Sequence, residues 1–306
     1  MSRSDADARL RALEWTVLRK LDGLLQGDYR GLFRGFGMDL AEIREYQYGD
    51  DVRFMDWNVT ARLDAPYVRR FDEDREITVW LILDMSPSIY FGSGDVKKLD
   101  MLADLAAVLA RLFSRRGNRV GALLYDAVSE EVLPARAGGM QALNILDRIV
   151  SRPRLELSPP TDLKALLMTA LDVVRRRSLV FVVSDFISSP GWAEPLSYLV
   201  RRNEVVSVRL VDPLELALPD LGILTLQDAE TGEQLQVDSH DARLRRRFEA
   251  VAARREEELR AAFDRAGADA LELSTEDDIA LAVLRFAQAR KRRSQHAGAQ
   301  HARSGL

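Results

Sequence analysis

Asp84-Met85-Ser86-Pro87-Ser88 sets a carboxylate and two hydroxyls at alternate positions, directly after the apolar run Val79-Trp80-Leu81-Ile82-Leu83. Alternate residues of an extended segment point the same way, so the three oxygens face one space. Hard oxygen donors of this kind suit Mg²⁺, with Mn²⁺ or Ca²⁺ in the same class, and not zinc. Mg²⁺ typically keeps waters instead of accepting a full protein cage, so open coordination positions are expected. Asp126, Asp185 and Asp212 close three further apolar runs. A carboxylate at a strand end is expected to escape burial, which gives each a plain capping reading; Asp126 and Asp212 are read as structural.

Other chemistries are poorly supplied. Cys is absent, which removes disulfides, thiolate zinc sites and Cys nucleophiles together. The three His are His240, His296 and His301, and neither a Gly-x-Ser-x-Gly elbow nor a Gly-x-x-x-x-Gly-Lys loop occurs. A metal-dependent phosphatase of the haloacid-dehalogenase kind is the rival enzyme reading, but such enzymes carry Asp-x-Asp where this chain has Asp84-x-Ser86. Lys+Arg 44 against Asp+Glu 48, a net charge of -4, argues against general nucleic-acid binding. Arg175–Arg177, Arg245–Arg247 and Arg290–Arg293 lack an aromatic stacking platform and read as solvated helix ends. The runs Ile77–Leu83 and Leu179–Val183 fall well short of the roughly 20 apolar residues of a membrane-spanning helix. With no export signal visible at the N-terminus, a cytoplasmic protein without membrane insertion is expected.

The elements that must carry these residues follow from periodicity. Leu10–Leu25 reads as an amphipathic helix, Gly27–Gly37 as a Gly-rich loop, Met38–Tyr46 as a strand, Val52–Arg62 as a short helix and Tyr67–Phe71 as a further strand. From Ile77 onward apolar strands alternate with amphipathic helices, the pattern of a doubly wound, mostly parallel α/β sheet. The strands are Ile77–Leu83, Arg119–Tyr125, Leu179–Ser184, Val205–Leu210 and Ala270–Leu273, with Glu131–Leu133 as an edge strand. Helices are expected at Leu99–Arg115, Met140–Ile149, Leu163–Val174, Trp192–Arg201, Ala242–Ala266 and Asp277–Ala289. Ile223–Gln227 and Glu233–Val237 form a hairpin outside the main sheet. The chain thus divides into an N-terminal helix and small β extension (1–76), an α/β domain (77–289, hairpin insertion about 220–238) and a basic tail (290–306).

Asp84-x-Ser86-x-Ser88 after the first strand resembles the metal-ion-dependent adhesion site of von Willebrand factor type A domains. Thr161 in Pro160-Thr161-Asp162-Leu163 and Asp185 in Val183-Ser184-Asp185-Phe186 resemble the two other pieces that family uses. The resemblance implies a Rossmann-like sheet of order 3-2-1-4-5-6 and a metal set of Asp84, Ser86, Ser88, Thr161 and Asp185, in which direct and water-mediated roles stay open. Upstream, Glu45-Tyr46-Gln47-Tyr48-Gly49-Asp50-Asp51-Val52-Arg53-Phe54-Met55-Asp56-Trp57 with Thr60-Ala61-Arg62 is similar to the signature of the bacterial domain-of-unknown-function family fifty-eight. That resemblance implies association with MoxR-type AAA+ ATPases and a non-enzymatic adaptor role in assembly or maturation of protein complexes, with a partner or client Asp or Glu completing the metal shell. Asp50, Arg53, Asp56, Trp57 and Arg62 are a candidate partner surface, or alternatively a buried ion-pair network locking the extension onto the sheet. A metal-independent scaffold is the remaining alternative.

Overall fold

The computed structural model describes residues 77–290 apart from 116, 156, 157 and 287, together with 8, 11–13, 43–47, 55, 57–63 and 65–69. Contacts divide the chain into two compact units, one of residues 1–26 and 78–286, the other of 27–77 and 287–306. In the second unit, β1 (Ile43–Glu45) pairs antiparallel with β2 (Tyr67–Arg69), and Met55 bridges to Val68. Helix α1 (Trp57–Leu63) is tied to β2 by Tyr67 N–H, which donates to Thr60 Oγ1 at 2.9 Å. Of the expected opening helix Leu10–Leu25 only residues 11–13 are described, and they are helical, as is residue 8 before it; the Gly27–Gly37 loop lies outside the described residues.

The first unit is built on one six-stranded sheet. Its strands are β3 (Thr78–Asp84), β4 (Arg119–Tyr125), β5 (Glu130–Arg136), β6 (Leu179–Ser184), β7 (Glu204–Val211) and, after the hairpin strands β8 (Ile223–Gln227) and β9 (Gln234–Asp238), β10 (Asp269–Ser274). The order is β10-β7-β6-β3-β4-β5, all parallel except β5, which runs antiparallel to β4. Counted among these six, the order is 3-2-1-4-5-6. β3 and β6 sit centrally and are buried along nearly their whole length, as strands covered by helices on both faces must be.

One face carries α4 (Leu163–Val173), α5 (Ala193–Arg202) and α6 (Ala242–Ala266), whose Leu166, Leu196 and Phe263 cluster with Trp80, Ile82 and Val182. On the other, Phe113 of α2 (Lys98–Ser114) meets Phe181 of β6 with ring centroids 6.1 Å apart, and α3 (Met140–Ser151) packs beside α2. A helix at 279–286 follows β10. Gly121 is needed under Trp80, because a Cβ there would come within 2.7 Å of the indole ring.

Among the boundaries that differ from the sequence reading, two have a direct physical reason. β3 runs one residue further than expected, because Asp84 is still in the ladder opposite Tyr125. β5 is seven residues long and passes through Pro134, which an edge strand tolerates because its N–H side needs no partner. β8 and β9 pair only with each other, outside the main sheet.

Candidate functional site

Three oxygens of the Asp84 loop come together because of how β3 ends. Met85 N–H donates to the Tyr125 carbonyl at 2.6 Å, which carries the extended backbone one residue past the ladder. Ser86 N–H then turns back onto Asp84 Oδ1 at 3.0 Å, and Pro87–Tyr90 closes into a 3₁₀ turn. Ser86 Oγ and Ser88 Oγ lie 3.3 Å apart, and Asp84, Ser86 and Ser88 are all buried.

The next strand over supplies the second carboxylate. Ser184 Oγ donates to Asp84 Oδ2 at 2.6 Å and accepts Phe186 N–H at 2.8 Å. Phe186 adopts φ 56°, a left-handed conformation uncommon for a bulky residue. Its ring is held by Trp192 and Phe263, with centroids at 5.1 and 4.8 Å, and the turn it makes sets Asp185 in place. Asp185 Oδ1 accepts Ile187 N–H at 2.9 Å, while Oδ2 accepts from the Lys98 ammonium at 2.7 Å. Burial, and after it the charge of Asp185, pushes the Asp84 carboxyl up to about 6 against the opposing hydrogen bonds of Ser184 and Ser86.

Thr161 arrives on the loop before α4, whose first turn is capped by Asp162 accepting Ala165 N–H at 3.1 Å. The Thr161 carbonyl accepts from Ser189 N–H at 3.0 Å and Ser188 Oγ at 2.9 Å, tying this loop to the one that follows Asp185. Asp162 N–H donates to Tyr125 Oη at 3.0 Å, tying it to the end of β4. Thr161 N–H and Oγ1 both donate to Glu230 Oε1, at 2.9 and 2.7 Å.

The expectation that strand-end carboxylates escape burial is corrected: Asp84, Asp126, Asp185 and Asp212 are all buried. Ladder pairing and hydrogen bonds make this possible. Asp126 is pulled up by burial, but Ser129 and Val128 N–H groups and Arg152 outweigh that and hold it below the usual carboxylate range. Asp212 is likewise held low by Ser93 and Leu214 N–H groups and the Thr275 hydroxyl, against the opposing effect of burial. Both carboxylates are engaged in holding loops together.

Sequence reasoning missed four residues. Lys98 has no solvent exposure and lies between Asp185 and Glu215, 2.7 and 2.6 Å away. Burial alone would lower its ammonium, but the two carboxylates outweigh this and raise it. Glu215 accepts Asp212 N–H at 3.1 Å in a capping box, and the spacing Asp212-x-x-Glu215 is the signal that could have found it. Ser184 and Glu230 carry no such signal; one is the last residue of an apolar strand, the other part of a polar turn.

Among the described residues no group of three or more His, Asp or Glu side chains is placed to hold a metal ion. Asp84, Asp185, Ser86 and Ser88 offer only hard oxygen, a chemistry that fits a small divalent cation with open positions, while Asp185 Oδ2 is engaged by Lys98 and Thr161 Oγ1 by Glu230. Burial and the Asp185 charge penalise the ionised form of Asp84 relative to water, and a bound cation would offset that penalty.

In the other unit Trp57 is 70% exposed and Arg62 is exposed, while Asp50, Arg53 and Asp56 lie outside the described residues. Arg175–Arg177 are exposed, and Arg245 bonds the Ser239 carbonyl and pairs with Asp220. Of the last basic cluster only Arg290 is described. Among the described residues no helix is long and apolar enough to cross a membrane.

An uncharacterized protein of Mycobacterium tuberculosis is 38% identical to this chain over 301 residues, covering 95% of this chain and 93% of that one. Among solved structures, an aerotolerance-related membrane protein from Bacteroides fragilis aligns with TM-score 0.47 and 14% identity over 69% of this chain and 97% of that one. The SpRpn10 VWA domain aligns with TM-score 0.39 and 11% identity, over 68% and 93%. Residues 42–258 match the family described as protein of unknown function DUF58, and with that match and the extent of the mycobacterial likeness the chain belongs to the DUF58 family.

Proposed function

We propose that this chain is a Mg²⁺-dependent protein-interaction module that captures a partner through an Asp or Glu side chain and performs no turnover of its own. The observation that carries this reading is the burial of Asp84, Ser86 and Ser88 together, with Asp185 close enough to raise Asp84. Bound Mg²⁺ would supply a Lewis-acidic centre with positions open to an outside carboxylate. Asp84, Ser86, Ser88, Thr161 and Asp185 would hold it. Lys98 orients Asp185, and Ser184 orients Asp84, so the chain's work is to position oxygens and to keep them from the solvent. The exposed Trp57 and Arg62 are proposed as a second contact for the partner. The proposed partner is a MoxR-type AAA+ ATPase or its client, as the upstream signature implies.

A metal-independent scaffold is the second reading, favoured by Lys98, which already neutralises part of the Asp185 charge from within. A pull-down with the tagged full chain in Mg²⁺ and in EDTA, with Asp84→Ala as the matched variant, separates the two. Capture of an AAA+ ATPase only by wild type and only in Mg²⁺ supports the module; equal capture in all arms supports the scaffold.

A further inference from the structure

The β8–β9 hairpin brings a carboxylate of this chain onto Thr161, one of the five residues proposed to hold the metal. Asp228 Oδ1 accepts Glu230 and Thr231 N–H at 2.9 and 2.7 Å, which shapes the turn. From that turn Glu230 Oε1 takes both donors of Thr161, and the Glu230 carbonyl accepts Ser158 N–H at 3.2 Å. The base of the hairpin is fastened separately: Ser239 Oγ accepts Leu221 N–H at 2.9 Å and donates to the Gly222 carbonyl at 2.7 Å, and Arg245 holds Asp220 and Ser239. Between base and tip the hairpin is largely exposed, with Ile223 at 75% and Leu235 at 64%. A two-stranded ribbon with so little packing is marginal by itself, so its tip is seated chiefly by what Glu230 grips.

We propose that Glu230 is a tethered ligand of this site: the hairpin holds an acidic side chain against Thr161, and a partner's Asp or Glu binds by displacing it. The inference rests on the metal-site reading above. An anchored base and a tip held through Glu230 allow displacement without disturbing the six-stranded sheet, to which β8 and β9 do not pair. The hairpin thereby selects for a partner that presents its carboxylate together with other contacts, because a free carboxylate must compete with one already in place. A tip seated nine times in ten would weaken an outside carboxylate by about tenfold.

The test uses the full chain, Mn²⁺ as the metal and glutarate as a free carboxylate probe. Broadening of the glutarate proton resonances by bound Mn²⁺ reports its binding. Mn²⁺ binds wild type, Glu230→Gln and Glu233→Gln, since Asp84 and Asp185 are intact in all three. Glutarate then binds Glu230→Gln about tenfold more tightly than wild type, while Glu233→Gln, which removes an exposed charge from the same hairpin, behaves as wild type. Equal glutarate affinity in wild type and Glu230→Gln, with Mn²⁺ bound to both, overturns the tethered ligand and leaves the metal site standing. Failure of Mn²⁺ to bind wild type overturns the metal site and the tethered ligand with it.

Discussion

Asp84 combines no solvent exposure with a neighbouring carboxylate, and its stability consequence has a definite sign. Its folded pKa of about 6 lies above the ordinary 3.8, so the folded chain binds a proton there that the unfolded chain has already released. Its favourable contribution is complete below 3.8 and is lost as pH rises through about 6. In a chelator at pH 8, Asp84→Asn is therefore expected to be more stable than wild type by about 2–3 kcal/mol, two pKa units at about 1.4 kcal/mol each. The gap closes toward pH 4, and urea unfolding across the pH range measures it. A wild type that stays as stable as the variant at pH 8 contradicts the uncompensated pocket. In the sequence Asp84, Ser86 and Ser88 stand out as alternate oxygens after an apolar strand and Asp185 as a strand-end carboxylate, whereas Thr161 is singled out only by the family resemblance. Lys98 is not: in Val96-Lys97-Lys98-Leu99-Asp100 it looks like a solvated first turn, and only the crossing of α2 past β6 and the turn after β7 buries it.

α2 opens with that lysine in the interior, and the helix is fastened to two loops by one ammonium. Removing a partner from a buried ion pair leaves uncompensated charge and costs about 3–5 kcal/mol. Lys98→Met is expected to lose that much in a chelator, seen as a lower urea midpoint, and to lose less in Mg²⁺, where a cation can take over against Asp185. A midpoint unchanged from wild type would show that the ammonium is not holding Asp185 and Glu215. At this scale the parallel strands are readable from apolar runs bounded by Asp, and β4, β6, β8 and α6 keep the expected boundaries. β5 runs beyond the expected Glu131–Leu133 and through Pro134, because an edge strand has no ladder bond to lose there. That the hairpin stands apart from the main sheet is also readable, from its polar, alternating residues. Its contact with Thr161 is not, because 69 residues separate the two partners and nothing in either segment marks the other.

For the chain as a whole, a ligand that binds only the folded state raises stability by mass action. Mg²⁺ at a hundred times its Kd adds about 2.7 kcal/mol, which raises Tm by roughly 5–10 °C for a domain of this size. The same rise is expected to be absent in Asp84→Ala. A doubly wound sheet is readable in the alternation of strands and helices, and family membership in the long upstream signature. The placement of Trp57 at the surface is not, since an indole beside charged residues suits a buried network equally well.

The central claim is that Asp84, Ser86, Ser88, Thr161 and Asp185 hold a divalent cation, and calorimetric titration of Mg²⁺ into the chelator-stripped full chain tests it most directly. The account predicts saturable binding at one site in wild type that is lost in Asp84→Ala. No binding to wild type, or the same affinity in the variant, would contradict it.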